Sequence, residues 1–418
     1  MGHSHVPTHA DQPQANVTAR ARAVLIGLLV VVGLVTVIGL ILLRPDQAKL
    51  DALTDPFGNA PGVTFPNARI LSVEPSCEGE VPEEPGDVPS NTDCATATVT
   101  VLDGPEAGQE VTVQLLGSVG RSGLRAGDQV QLIRIPGQAG EPVSLEYFGT
   151  NRLPTLGLLM ALFVLVVLVI ARLRGLLALV GLGFSGWVMF GFMLPALMSG
   201  RPGLPVALIG STAIMFVVLY ATHGLSLRTS AAFAGTLVGV LVTALLGEVA
   251  VEAARLGGMH DESSVALASL VPGLNFRDLI IAALTVAGLG VLNDVTITQA
   301  SAVWELRGAA PTLSRGRIFA SGMRIGRDHI ASTIYTIVFA YTGAALTLLM
   351  LLHFYDRPIL DLLATEEFAT EIVRTLASAI GLVLSVPITT GIAALTLSPR
   401  EVEPALVDPA VVEPAVEA

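Results

Sequence analysis

Long apolar runs dominate this sequence and limit the folds that it can adopt. Eight stretches contain few or no charged side chains, and each is close to the roughly 20 residues that a helix needs to cross the bilayer. Lipid offers the backbone no hydrogen-bonding partners, so each stretch is expected to be a helix, which satisfies its own backbone. The predicted spans are Ala23–Leu43, Leu153–Ala171, Gly175–Leu197, Leu204–Thr222, Ser230–Ala250, Leu279–Val303, Ile330–Leu352 and Leu376–Leu397.

The composition excludes two broad classes of protein. Hydrophobic residues make up 52% of the chain and charged residues only 14%, whereas soluble domains carry about 25% charged residues. The formal net charge is −12, and proteins that bind nucleic acid need a basic surface. The sequence therefore predicts a membrane protein whose main partner is the lipid bilayer and which binds no nucleic acid.

The alternation of apolar and polar segments predicts five regions. These are a disordered cytosolic tail (1–22), a signal-anchor span (23–43), an extracytoplasmic domain (44–152), a seven-span membrane domain (153–397) and a second disordered cytosolic tail (398–418). A cleaved signal peptide is the alternative for the first span. Its apolar run is longer than the roughly 7–15 residues of such peptides, and this favours the uncleaved anchor.

Arginine residues in the short loops predict the orientation of the chain. Arg20 and Arg22 precede the first span, and the segment Trp304–His329 carries a further cluster of arginines. Arg172 and Arg174 separate the second and third spans, because two arginines at the centre of a bilayer would be costly. With eight spans, this arrangement predicts that both termini lie in the cytosol.

The segment 44–152 has the pattern of a small all-β domain. Short runs of β-type residues alternate with turn signals such as Asp103-Gly104-Pro105. Five strands at this spacing favour an OB-like barrel, and a small sandwich is the alternative. The excess of acidic residues argues against nucleic acid as a ligand, so a structural role or the docking of a partner protein is expected. The predicted strands are Ala68–Glu74, Ala95–Leu102, Glu110–Leu116, Gln129–Ile135 and Val143–Phe148.

The two cysteines of the chain, Cys77 and Cys94, both lie in this β domain. An oxidising outer compartment permits a disulfide between them, which would close the acidic, proline-containing loop that they flank. Free thiols are the alternative. Two cysteines at this spacing are too few for a metal site.

Both tails have a biased composition. His3, His5 and His9 lie close together near the N-terminus, where imidazoles on a flexible segment could hold Zn²⁺ or a similar ion. A solvated, disordered tail without metal is the simpler interpretation. After Ser398, proline recurs at every fifth residue among acidic and small side chains, which predicts an extended, disordered segment.

The sixth span contains an acid at its centre. Asp294 follows Asn293, and at 100° per residue it is predicted to share one stripe with small and polar residues, with Leu292 and Val303 facing away. An ionised carboxylate that faces lipid is unfavourable by at least a few kcal/mol, so the stripe is expected to face other helices or a water-filled path. Asp294 is then either an ion or proton site or a carboxyl group that packs helices together. The other members of the stripe are Ala283, Ala287, Gly290, Thr298 and Ser301.

An arginine-rich segment precedes the seventh span. Arg324 and Asp328 are spaced i, i+4 and share a face with Arg317. This pattern predicts an amphipathic interfacial helix whose arginines anchor to lipid phosphates. The alternative is that Arg327 or Asp328 pairs with a group near Asp294.

Two of these segments also carry a family resemblance. The stretch Gly288–Glu305, GLGVLNDVTITQASAVWE, resembles the signature span of YibE/F-like membrane proteins. Ser321–Ile330, SGMRIGRDHI, is similar to the second motif of that family, and Phe368–Pro387 is similar to its last span. The resemblance covers roughly residues 60–397. It implies a multi-span protein of the bacterial cytoplasmic (inner) membrane and does not imply a particular activity.

Two functions remain open at this point. The sequence contains none of the Walker, G-x-S-x-G, H-E-x-x-H or C-x-x-C signatures, so no enzyme activity and no cofactor are predicted. The leading hypothesis is a permease-like protein that moves an ion or small solute past Asp294, Asn293, Thr298 and Ser301. The alternative is a non-transporting scaffold whose outer domain docks a partner. Both hypotheses allow a homo-oligomer.

Overall fold

A computed structural model describes residues 18–53, 62–74, 95–116, 119–120, 122–137, 142–354 and 358–398. The chain divides into two compact units, a β unit of residues 53–172 and a helical unit formed by residues 1–52 and 173–418. The predictions for His3, His5 and His9, for Cys77 and Cys94, and for residues 399–418 concern positions outside the described residues.

The β unit contains a five-stranded antiparallel sheet in the order β3-β2-β1-β4-β5. The edge strands β3 and β5 also approach each other, so the sheet is nearly closed. Alternate residues of β2 are buried, as expected for a strand with one face towards a core. The prediction of five strands is confirmed to within two residues at each end. The strands are β1 (Asn67–Glu74), β2 (Ala95–Val101), β3 (Glu110–Leu115), β4 (Gln129–Ile135) and β5 (Ser144–Thr150).

The rest of the described chain is mainly helical. The helices are α1 (Ala19–Leu42), α2 (Gln47–Asp51), α3 (Leu153–Val188), α4 (Leu194–Met198), α5 (Gly203–His223), α6 (Leu227–Ala253), α7 (Glu262–Leu270), α8 (Phe276–Ala309), α9 (Arg315–Ala344), α10 (Leu346–Phe354), α11 (Ile359–Leu363) and α12 (Glu366–Thr396). A π-helical turn, Met189–Met193, joins α3 to α4.

Among the described residues, six helical segments are long and apolar enough to cross a membrane. One of them, Leu153–Met198, covers both the second and the third predicted spans. Its backbone leaves the helical conformation at Arg172, which has φ 50° and ψ −129°, in the segment where the sequence predicted a break. The predicted seventh span has no counterpart among the six. The structure has the long α9 there instead, which begins at Arg315 and carries charged residues in its first half.

Three helices, α6, α8 and α12, form the centre of the helical unit, and small residues let their backbones approach closely. A methyl group built on Gly239 of α6 would lie 2.7 Å from Leu292 and 3.1 Å from Ser385. The hydroxyl groups of Thr236 and Thr296 are hydrogen-bonded at 2.6 Å between α6 and α8. This tight, polar seam is the core of the unit.

One set of helix ends in this unit is rich in arginine. The starts of α1, α6 and α9 lie together with the ends of α8 and α12. Arg315 donates from its Nε to the carbonyl oxygen of Leu397 at 2.8 Å. Arg307, which is 6% exposed, donates to the carbonyl oxygens of Pro311 and Leu313 at 3.0 Å each. Guanidinium groups therefore hold the ends of three helices together.

The opposite set of helix ends is fastened by different contacts. Lys49, which follows α1, donates to the carbonyl oxygen of Ser199 at 3.2 Å. Glu366, in the first turn of α12, accepts hydrogen bonds from the backbone N–H groups of Gly257 and Gly258 at 2.6 and 2.5 Å. These contacts join the end of α1 to the turn before α5, and the end of α6 to the start of α12.

Candidate functional site

The candidate site lies on α8, which begins at a well-formed cap. The side chain of Asn275 accepts hydrogen bonds from the backbone N–H groups of Arg277 and Asp278, and Asp278 adds an acid to the first turn, where the helix dipole favours negative charge. From this cap, α8 continues without interruption to Ala309. Asp294 is therefore held on a rigid helix, well away from either end.

The structure corrects the predicted orientation of the polar stripe. Asp294, Gly290 and Thr298 are exposed, and Ser301 is half-buried. Leu292 and Val303, which were predicted to face away from the other helices, are fully buried with 0% exposure. Within the described chain the stripe therefore faces outward, and the expectation that it packs against other helices of the same chain is wrong.

The physical reason lies in what surrounds the two faces of α8. Leu292 fills the space beside Gly239, and a methyl group on Gly288 would lie 3.4 Å from both Thr243 and Ser378. In contrast, nothing lies within 4 Å of a methyl group built on Gly290. The glycines of α6 leave room for the larger side chains of α8, such as Leu292. The face of α8 that carries Leu292 is therefore the buried one.

The four predicted site residues differ in their surroundings. Thr298 is exposed beside Asp294, whereas Ser301 donates from its hydroxyl group to the carbonyl oxygen of Ile297 at 2.7 Å. Asn293 is half-buried, and its Oδ1 atom is buried with no hydrogen-bond partner among the described residues. Asp294 and Thr298 are thus available to a ligand, and Asn293 lies at the edge of the stripe.

The inner-face motif lies on the exposed side of α9. Arg324, Arg327 and Asp328 are all exposed. Arg324 donates to the hydroxyl group of Ser321 at 3.2 Å, and no ion pair joins Arg324 to Asp328 in the part of the chain that the structure describes. The described residues likewise show no ion pair between Arg327 or Asp328 and a group near Asp294.

A buried polar contact joins α8, α9 and α12, and it was not predicted from the sequence. The side chain of Gln299 is 2% exposed, and its Nε2 donates to the carbonyl oxygen of Gly322 at 2.8 Å and to the hydroxyl group of Thr390 at 2.7 Å. The signal for it was the pair Gly322 and Gly326, a small-x-x-x-small pattern that is typical of close helix packing. Both glycines face Gln299.

Two cavities of the helical unit lie away from Asp294. One has a volume of about 260 Å³ and lies beside α9, α10, α11 and α12, where Tyr341 and Phe368 contribute to its wall. A second, of about 490 Å³, lies between the start of α1, the start of α9 and the end of α12. Asp294 lines neither cavity. The described residues also contain no group of three His, Cys, Asp or Glu side chains that could hold a metal ion.

Comparison with known proteins gives one result that identifies the chain. No curated protein and no solved structure matches it. The sequence model of the YibE/F-like protein family matches residues 159–399, more than half of the chain. The matched region contains α8, α9 and α12, together with both central motifs on which the sequence resemblance was based. The chain therefore belongs to the YibE/F-like protein family.

Proposed function

We propose that this chain is a permease-like protein of the bacterial cytoplasmic membrane that moves a cation or a small polar solute along the exposed stripe of α8. The observation that carries the proposal is the position of Asp294. It is exposed, yet it lies about 14 Å from the predicted inner end of the span at Val303, at 1.5 Å per residue. A carboxylate at that depth needs water or a polar partner beside it.

The neighbours of Asp294 suit a polar path. Gly290 and Thr298 add little bulk on the same face, and the space beside Gly290 is open. A second copy of the chain lying across this face would separate the stripe from lipid and leave a channel lined with oxygen atoms. Oxygen ligands are those that small hard cations prefer. The proposal therefore requires a homo-oligomer as the working unit.

The arrangement of charges supports the proposed orientation. Arg20, Arg307 and Arg315 lie at the same set of helix ends, whereas Glu366 lies at the other. Cytoplasmic loops carry an excess of arginine, so the arginine-rich ends belong in the cytosol together with both termini of the chain. The β unit follows the end of α1 and would then lie outside, where its strand order favours an OB-like fold.

The scaffold hypothesis also has an observation in its favour. The seam between α6, α8 and α12 is tightly packed rather than hollow, with Gly235 against Thr389 and Gly381 against Thr243. A rigid bundle of this kind would suit a membrane anchor for a β unit that docks a partner protein. The two functions differ in whether Asp294 is needed for anything other than folding.

A flux measurement separates them. The purified chain is reconstituted in liposomes loaded with a pH-sensitive or cation-sensitive dye, and a gradient of H⁺, Na⁺, K⁺ or Mg²⁺ is applied. The proposal predicts a flux that falls at least tenfold in Asp294→Asn and is unchanged in Glu252→Gln, which removes an exposed carboxylate near the end of α6. An equal flux in wild type and Asp294→Asn would favour the scaffold. No flux of any of these cations through wild type would overturn the proposal for cations.

A further inference from the structure

A groove at the arginine-rich ends has the features of a ligand site. It has a volume of about 490 Å³ and lies between three helix ends, those of α1, α9 and α12. Its lining combines apolar side chains with two guanidinium groups. The lining residues are Thr18, Arg20, Ala21, Val24, Leu25, Arg315, Ile392, Leu395 and Thr396.

The positive charge at the mouth of the groove is not balanced within the described chain. Arg20 and Arg315 form no ion pair with any of the described residues. Arg315 uses its Nε and Nη2 atoms to donate to the carbonyl oxygen of Leu397, and its Nη1 group has no partner among the described residues. The mouth therefore offers hydrogen-bond donors and positive charge to an anion.

Two helix N-termini add to this positive potential. Both α1 and α9 begin at the groove, and neither has an acidic residue in its first turn. The N-terminus of a helix carries a partial positive charge that favours phosphate and carboxylate groups. Asp or Glu in the first turn would offset this charge, but arginines occupy the first turns of α1 and α9. An anion at the mouth would relieve the repulsion between these groups.

The walls of the groove are apolar and open on one side. Val24 of α1 is 68% exposed and Leu395 of α12 is 66% exposed, whereas Leu25 beside them is 5% exposed. A free inorganic anion would contact none of these side chains. A ligand with a phosphate head and an alkyl chain would contact both parts of the groove.

We propose that this groove binds an anionic glycerophospholipid. The phosphate lies between Arg20 and Arg315, and an acyl chain lies along Val24, Leu25 and Leu395. Basic pockets between membrane helices on the cytoplasmic side are known to suit such headgroups. The proposal rests on the membrane location and orientation argued above but not on transport, so it stands if the flux measurement fails.

The acidic segment that follows Ser398 is the other candidate occupant. Glu401 and Glu403 lie only a few residues beyond α12 in the sequence, so their carboxylates could reach an arginine. The apolar walls favour lipid, because residues 399–418 are rich in charged residues and proline and offer no long alkyl chain. A chain that ends at Ser398 distinguishes the two occupants.

The test uses native mass spectrometry of the full-length protein in detergent, with phosphatidylglycerol or phosphatidylcholine added. Wild type is expected to retain phosphatidylglycerol in preference to phosphatidylcholine. Arg20→Gln is expected to weaken phosphatidylglycerol binding about fivefold, the effect of about one basic residue on an anionic lipid. The matched control is Arg22→Gln, which removes an exposed arginine from the same turn that does not line the groove.

Two further variants identify the occupant. Ala21→Trp fills the apolar part of the groove and is expected to abolish the preference for phosphatidylglycerol. Truncation after Ser398 is expected to leave this preference unchanged, whereas a rise would mean that the acidic segment occupies the groove in the full chain. Equal effects of Arg20→Gln and Arg22→Gln would overturn the proposal. So would competition by inorganic phosphate as effective as that by phosphatidylglycerol, which indicates a plain anion site, or loss of lipid binding on truncation.

Discussion

At the scale of single residues, the helical unit depends on glycines that face hydroxyl-bearing side chains. A methyl group built on Gly381 of α12 would collide with the hydroxyl oxygen of Thr243 on α6. Gly391 lies on the same helix, but the nearest atom to its methyl group is 3.9 Å away, on Phe319. The two glycines therefore have the same helical backbone and very different surroundings.

Gly381→Ala is expected to destabilise the protein by about 1–3 kcal/mol, the usual effect of overpacking a close contact. Gly391→Ala is expected to be neutral or slightly stabilising, because alanine is the better helix former. The thermal unfolding midpoint of each variant in detergent, followed by size-exclusion chromatography, measures the difference. Similar midpoints for the two variants would mean that α6 and α12 do not approach as closely as described.

At the scale of secondary-structure elements, Glu366 fastens α12 to the turn after α6. Its carboxylate accepts from two adjacent backbone N–H groups, and charge-assisted hydrogen bonds of this kind are about twice as strong as neutral ones. Glu366→Gln is expected to lower the free energy of unfolding by about 1 kcal/mol. Glu367→Gln, an exposed neighbour in the same turn, is the control and is expected to have no effect. The denaturant midpoint in detergent checks this, and equal midpoints would contradict it.

The ladder between β1 and β2 bears on the predicted disulfide. Glu74 is paired with Thr96 at the end of this ladder, so the end of β1 lies beside the start of β2. Cys77 and Cys94 lie three residues after Glu74 and two residues before Thr96 in the sequence. A Cys77–Cys94 bond would close the loop between the strands, and we expect no labelling by a thiol reagent in the unreduced, denatured protein. Labelling at both cysteines would contradict the bond.

The elements differ in how well the sequence could predict them. The strands were predicted to within two residues, because polar–apolar alternation and turn residues mark each strand locally. The buried face of α8 could not be predicted in this way, since the sequence does not show whether its small and polar face or its leucine face is covered by other helices. Its burial depends on contacts with residues far along the chain, such as Leu292 with Gly239 and Gln299 with Thr390.

At the scale of the whole molecule, the family and the membrane character were predictable, and the site only in part. The motifs around Asp294 and Arg324 are local in sequence and led to the correct family. The exposure of Asp294 was not predictable, because it depends on how α6 and α12 pack against α8 and on which face of α8 they leave uncovered. Because Asp294 faces outward, its partners are expected outside the single chain and not in its interior.

A polar path along α8 requires that position 294 is accessible to water in the membrane, and thiol labelling measures this. Asp294→Cys is introduced into a chain that carries Cys77→Ser and Cys94→Ser, and intact vesicles are treated with a water-soluble thiol reagent. The control is Leu245→Cys on α6, a position that is 46% exposed and apolar. We expect labelling at least tenfold faster at position 294 than at position 245. Equally slow labelling at both positions would contradict a polar path along α8.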